Sequence, residues 1–296
     1  MNRGWGWFLY PGFTVLVVFF FSMFFWNVGL SFLKWPGFGP PEFAGLDNYR
    51  RMIENQDFWE SWIHVAYYVI PFSLLPTGLA LLLAAASYET FIGRWLSKLV
   101  PVARSGFFLP QIVPISISAL IWMWILDQPT SFLVSFSEAV GWETAPDSWL
   151  REPIPALLVL SFFMLWLQMG FAYIVFIAGL SRLNPALLEA AHLDGAGRWA
   201  RLRWIIAPSL KPEIFVILVF LTVGAIKVFA PVYYLTGGDP YGSTSSPATF
   251  AISNFYGGRS VGYGSAITTT LAVVIAVGLG VTFWIVNRIR ARGEQQ

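Results

Sequence analysis

Six long apolar stretches separated by polar connections set the pattern of this chain. They run approximately from Trp7 to Leu33, Trp62 to Tyr88, Phe107 to Leu126, Ile154 to Leu180, Ile214 to Leu235 and Ser265 to Val286. A bilayer core of about 30 Å is crossed by about 20 helical residues, so each stretch predicts a membrane-spanning helix. Pro110 and Pro114 lie in the third and Pro231 in the fifth. A proline inside a helix lacks the N–H for one backbone bond and crowds the carbonyl four residues back, so kinks or partly unwound segments are expected in both. The first stretch follows a single basic residue, Arg3, but its apolar run is too long for a signal-peptide core and no small-x-small cleavage site follows it. It is read as a retained span. The expected fold class is an all-α polytopic membrane protein with six transmembrane helices. No internal repeat divides it, so residues 1–296 read as a single membrane domain.

Composition supports a chain covered by lipid. Of 296 residues 56% are hydrophobic and 11% are charged, against roughly 25% charged in a soluble domain. A net charge of +2 is too small to point to nucleic acid. The absence of cysteine excludes disulfides, thiolate metal sites and a cysteine nucleophile. Two histidines, His64 and His192, are too few for a histidine-rich metal site. Lysine and arginine then set direction. Arg3, Arg94, Lys98, Arg182, Arg198, Arg201, Arg203, Lys211, Arg288, Arg290 and Arg292 share one side, and the other holds only Lys34, Arg50, Arg51, Arg151 and Arg259. Because basic residues concentrate in cytoplasmic connections, both termini and the fourth connection are expected in the cytoplasm. Glu89 and Asp127 flank spans and read as boundary charges.

The fourth connection, residues 182–212, has an internal design. Asn184 is a good N-cap, Pro185 fits the first helical position, and about ten helical residues follow, with Gly195 placed to end them in a left-handed cap. A second short amphipathic segment passes through Arg198, Trp199, Arg201 and Arg203 and closes at Pro208-Ser-Leu-Lys-Pro212. A small, alanine-rich helix–turn–helix of this kind suits docking into a partner's groove, with Glu189 offering a charge. An interfacial loop whose arginines face lipid phosphates fits the same composition.

The particular residues carry a resemblance. Glu189-Ala190-Ala191-x-x-Asp194-Gly195-Ala196, followed twelve residues later by Pro208-x-Leu210-x-Pro212, resembles the EAA loop of bacterial ABC importer permeases, which in that family forms a coupling helix seated on a cytoplasmic ATPase. Phe43-Ala-Gly45-Leu46-Asp47-Asn48-Tyr49, Phe108-Leu109-Pro110 with Pro114, Trp149-Leu150 with Pro153, and Thr236-Gly237-Gly238-Asp239-Pro240 are similar to elements of the maltose-type branch. The sequence departs from that branch at Asp239, Ala230 and Leu167, where a third glycine, an acid and a polar residue are common. These departures bear on the substrate and leave the family intact.

The resemblance implies a permease in the bacterial inner membrane, importing a sugar by alternating access. It would work with a second homologous permease, two ABC ATPase subunits and an extracytoplasmic binding protein. No Gly-x-x-x-x-Gly-Lys-Ser/Thr element occurs, so no cofactor is expected in this chain; ATP and Mg would bind to the partner ATPase. Glu189, Ala190, Ala191, Asp194, Gly195 and Ala196 would couple to it. Polar groups inside spans are costly unless they face a wet cavity or a partner. Lys227, about nine residues or some 14 Å from the outer end of its helix, is read on that ground as facing the cavity or the partner permease. Gln111, Trp166, Gly170 and Tyr173 match pathway positions of the maltose-type permeases, although Trp166 and Tyr173 are equally at home as packing aromatics. Gln168 is a weaker candidate, Ser116 and Ser118 read as ties between helices, His192 as a surface residue, and His64 takes no role. Two alternatives stand: an ABC permease for another solute, such as a glycerol phosphate ester, and an ion-coupled secondary transporter. The second would want carboxylates buried in spans, and none is expected from this pattern.

Overall fold

The computed structural model describes residues 6–87, 100–126 and 149–293. Arg3, Glu89, Arg94, Lys98 and Asp127 lie outside them. In chain order the helices are α1 (Phe8–Ser31), α2 (Asp47–Glu54), α3 (Gln56–Ser87), α4 (Val100–Ile112), α5 (Ile115–Leu126), α6 (Pro153–Leu180), α7 (Pro185–Leu193), α8 (Arg198–Ser209), α9 (Lys211–Ile226), α10 (Ala230–Leu235), α11 (Pro247–Ile252) and α12 (Val261–Gly293). A two-stranded antiparallel pair, β1 (Leu33–Lys34) with β2 (Glu42–Phe43), is the only sheet among the described residues. By length and composition α1, α3, α6 and α12 can each cross a bilayer. The count reaches six when the bent pairs α4–α5 and α8–α9 each make one span.

Each break falls where a proline removes a rung of the helical ladder. Pro114 has no N–H for the carbonyl of Pro110, and α4 and α5 meet there at 110°. That angle exceeds a kink, so the third apolar stretch is two helices rather than one bent rod. Pro212 likewise cannot donate to the carbonyl of Pro208, which accepts a tighter C-cap N–H instead, and α8 and α9 meet at 73°. Pro231 does the same to Lys227, which leaves helical geometry at φ −96°, ψ 18°. The fifth stretch is therefore a 16-residue helix, α9, about 24 Å long, followed by the short α10. This corrects the depth expected for Lys227: it caps α9 instead of lying about nine residues inside the outer end of its helix.

The chain divides into two compact units, Trp62–Ser246 and Met1–Ser61 with Pro247–Gln296. In the first, Tyr68 of α3, Phe163, Met164, Tyr173 and Phe176 of α6, and Ile217 and Leu221 of α9 form one buried core. Lipid tails are as apolar as these side chains, so association relies on close packing and on hydrogen bonds between helices. Two such bonds are Tyr67 Oη with Ser161 Oγ at 2.8 Å and Ser73 Oγ with Thr222 Oγ1 at 3.0 Å. Ser118 makes none among the described residues although it is buried, so the tie expected of it is not made. His64, expected to have no role, donates from Nδ1 to the carbonyl of Ser245 at 2.9 Å, and Tyr68 Oη donates to the carbonyl of Thr244 at 2.5 Å. Both hold the Gly-rich connection after α10 against α3.

In the other unit, Asn27 of α1 donates to Thr268 Oγ1 at 3.2 Å and Thr269 Oγ1 at 3.0 Å on α12. The Gly45–Tyr49 element has a structural purpose. Buried Asn48 donates to the carbonyls of Ser31 and Leu33 at 2.8 and 2.9 Å, and Tyr49 Oη meets Ser31 Oγ at 2.7 Å. The two Asn48 bonds satisfy carbonyls at and just beyond the end of α1, where intrahelical partners run out. On α2 the Glu54 carboxylate, 2.9 Å from Arg50 Nε, raises the Arg50 guanidinium above its ordinary range.

Candidate functional site

The connection between α6 and α9 forms as its residues dictate. Asn184 Oδ1 accepts from the Ala186 N–H at 3.1 Å, and Pro185 occupies the first turn of α7. At the other end Ala196 N–H donates to Ala191 O at 2.9 Å and Gly195 N–H to His192 O at 3.1 Å. That pair of bonds is the Schellman closure of a helix, and it needs a left-handed residue at its corner; Gly195 supplies it at φ 77°. Leu188 and Ala191, three residues apart, are buried on one side of α7. Glu189, Ala190, His192, Leu193 and Asp194 are exposed, Leu193 by 87%. An almost bare leucine among polar neighbours marks a face without a partner among the described residues.

Two contacts brace this connection. Arg182, just beyond α6, pairs with Glu213 in the first turn of α9. Glu213 is buried, and its second carboxylate oxygen has no hydrogen bond among the described residues. α9 begins a turn earlier than its apolar run, so Glu213 lies one residue ahead of the fifth apolar stretch, buried against the protein where the helix starts. Arg201, buried in α8, donates from Nη1 to His192 Nδ1 at 3.1 Å, tying the second arm to the first. That bond requires an unprotonated Nδ1. Neither contact has a sequence signature: the partners are 31 and nine residues apart.

The pathway candidates gather where α4 crosses α6. A Cβ on Gly170 would lie 2.1 Å from the carbonyl oxygen of Phe107, so only glycine permits this approach. One turn away the Gln111 amide donates to the carbonyl of Leu167, while Gln111 itself remains exposed. Trp166 is half-buried, its ring 5.5 Å from that of Trp122 and 6.0 Å from Phe163. Tyr173 is almost wholly enclosed; its hydroxyl meets Ser87 Oγ at 2.9 Å and its ring lies 5.7 Å from Phe107. Gln168 is half-buried and Leu167 buried. Lys227 stands apart from this group at the end of α9, exposed and without an ion pair among the described residues.

Residues 77–292, which include the α4–α6 crossing, all of α7 and Lys227, match the model of the binding-protein-dependent transport system inner membrane component. The chain belongs to this family. This inner membrane component is 32% identical, over 84% of its own length and 81% of the relative's, to the trehalose/maltose transport system permease protein MalF of Thermococcus litoralis. It is 30% identical to the sulfoquinovosyl glycerol transport system permease protein SmoG of Agrobacterium fabrum, over 86% of this chain and 79% of that one. In fold it superposes on a chain of a bacterial ABC transporter involved in import of the acidic polysaccharide alginate, with a TM-score of 0.81, 22% identity, and coverage of 97% and 99%. It is a multi-pass membrane protein, all-α, and a transport permease.

Proposed function

We propose that this inner membrane component is the permease subunit of an ATP-driven ABC importer that moves a carbohydrate into the cytoplasm by alternating access. The observation that carries this reading is the exposed face of α7, with Glu189, Ala190 and Leu193 outermost and Gly195 closing the turn. Such a face fits a cleft on an ATPase. With no P-loop of its own, the chain would leave ATP and Mg to two ATPase subunits, and a second homologous permease would complete the membrane pore. The binding protein that gives the family its name would deliver solute from outside. Cytoplasmic termini follow from the side on which arginine and lysine concentrate. ATP-driven closure of the ATPase pair would push on α7. The Arg182–Glu213 and His192–Arg201 contacts would pass that displacement to α6 and α9, a two-state element biased by nucleotide.

The carbohydrate reading draws on the trehalose/maltose and sulfoquinovosyl glycerol relatives and on the alginate importer. Gln111 and Trp166 retain open surface suited to hydroxyls and to the C–H face of a sugar. Tyr173 would act from behind them by holding α4. The exposed Lys227 favours a second reading, an acidic solute paired with its ammonium group.

The test is binding-protein- and solute-stimulated ATP hydrolysis by the reconstituted complex. Glu189→Ala and Gly195→Asp are expected to lower stimulation by about tenfold or more, equivalent to ~1.4 kcal/mol of lost coupling, while the chain still folds. Unchanged coupling in both variants would make α7 an interfacial helix only and withdraw the importer reading. In the same assay Lys227→Gln loses acidic solutes selectively if the second reading holds and treats acidic and neutral ones alike if it does not.

A further inference from the structure

The unit formed by residues 1–61 and 247–296 holds two adjoining cavities that import leaves unused. One, of about 600 Å³, is lined by Trp35, Phe38, Tyr256 and Arg259 among others. The second, of about 640 Å³, follows α1 and its exit past Phe25, Trp26, Gly29 and Leu33. Leu30 and Trp35 line both, so they form one cleft with a polar end and an apolar end. No acidic side chain lines either part. Arg259, held at a left-handed φ of 44°, has no ion pair among the described residues. A position beyond Gly29 Cα is open, with nothing within 4 Å of a built Cβ.

We propose that this cleft binds an anionic phospholipid, with its phosphate against Arg259 and one acyl chain along the Phe25–Leu33 side of α1. The two ends are ordered as a lipid is ordered. α1 is an apolar span whose Phe25 and Trp26 are exposed, so the groove beside it opens to hydrocarbon. Arg259 sits just before α12 begins at Val261, one end of a segment long and apolar enough to cross a bilayer. A guanidinium fork matches phosphate oxygens, and Trp35 and Tyr256 are the amphipathic aromatics that belong at headgroup depth. A carbohydrate would have no use for the apolar end, and an acidic peptide would have to bury its backbone polar groups there without partners.

Native mass spectrometry of the full chain, alone and with the subunits that co-purify, tests this after delipidation and titration with phosphatidylglycerol or phosphatidylcholine. Both headgroups offer a phosphate to Arg259, but phosphatidylcholine also brings a cation beside the guanidinium. The wild type is therefore expected to retain phosphatidylglycerol about tenfold more tightly, the scale of one pair of like charges near a protein surface. Arg259→Gln should erase that preference, Gly29→Leu should weaken both lipids, and Lys34→Gln, outside the cleft, should change neither. The proposal is overturned by a wild type without preference, by Arg259→Gln keeping it, or by Gly29→Leu retaining both lipids. It is also overturned by a lipid signal that disappears in the assembled complex, because a protein partner then fills the cleft. No transport step enters this readout, so its outcome is separate from that of the ATPase experiment.

Discussion

At the scale of single residues, two glycines act by different physics. Gly195 has open space around it and is needed for its backbone angle. Gly170 is needed for its missing Cβ, since the nearest atom is a backbone carbonyl that no side-chain rotation can move. Gly170→Ala is expected to destabilise the purified protein by roughly 1–3 kcal/mol through overpacking at the α4–α6 crossing. Gly78→Ala in α3 is the control: nothing lies within 4 Å of its built Cβ, and alanine's better helix propensity should leave stability level or raised by up to about 1 kcal/mol. Thermal unfolding in detergent measures both, and equal behaviour of the two variants would remove the steric argument. The motif at Gly45–Tyr49 also resolves at this scale, since Asn48 is a cap for carbonyls.

At the scale of elements, prolines decide where helices stop, and an ion pair decides how two of them are joined. Pro114, Pro212 and Pro231 each withdraw a backbone donor, and each is matched by a break within a few residues on its N-terminal side. The junction of α6 with α9 depends on Arg182 and Glu213. Removing the arginine leaves a buried carboxylate without its counter-charge, while Arg182 itself is largely exposed, so the loss should be moderate. Arg182→Ala is expected to cost about 1–3 kcal/mol. Glu213→Gln should cost less, and the double variant should be milder than the sum of the two. Strict additivity in a double-mutant cycle would mean that the pair contributes nothing to the joint.

At the scale of the whole molecule, the lack of cysteine makes direction measurable, because any introduced thiol is the sole one. Leu193 on α7 is 87% exposed and Tyr241 in the connection after α10 is 93% exposed. A membrane-impermeant maleimide applied to intact spheroplasts is expected to label Tyr241→Cys at once and Leu193→Cys only after permeabilisation. The reverse pattern would overturn the orientation read from basic residues. Apolar exposure also differs by helix. The most apolar 18-residue window of α1 has no buried position, whereas those of α3 and α6 are 44% and 50% buried. In water an uncovered span such as α1 would be a liability, and in a bilayer its face is met by lipid.

The sequence by itself determined the membrane class, the apolar stretches, the helix of residues 185–193 with both of its caps, and the family. All of these rest on local pattern: hydropathy over about 20 residues, capping chemistry within five, and a contiguous motif. It also pointed to the third and fifth stretches as disturbed, since a proline carries its backbone restriction wherever it stands. Only the tertiary structure decided that Lys227 caps a short helix, that Glu213 is drawn inside to meet Arg182, and that Tyr173 is enclosed while Gln111 keeps open surface. Those outcomes depend on which helices meet and at what angle. Contacts between residues dozens of positions apart, such as Tyr68 with Thr244 or Asn27 with Thr269, leave no periodic trace along the chain, because the partners are selected by packing in three dimensions and not by spacing.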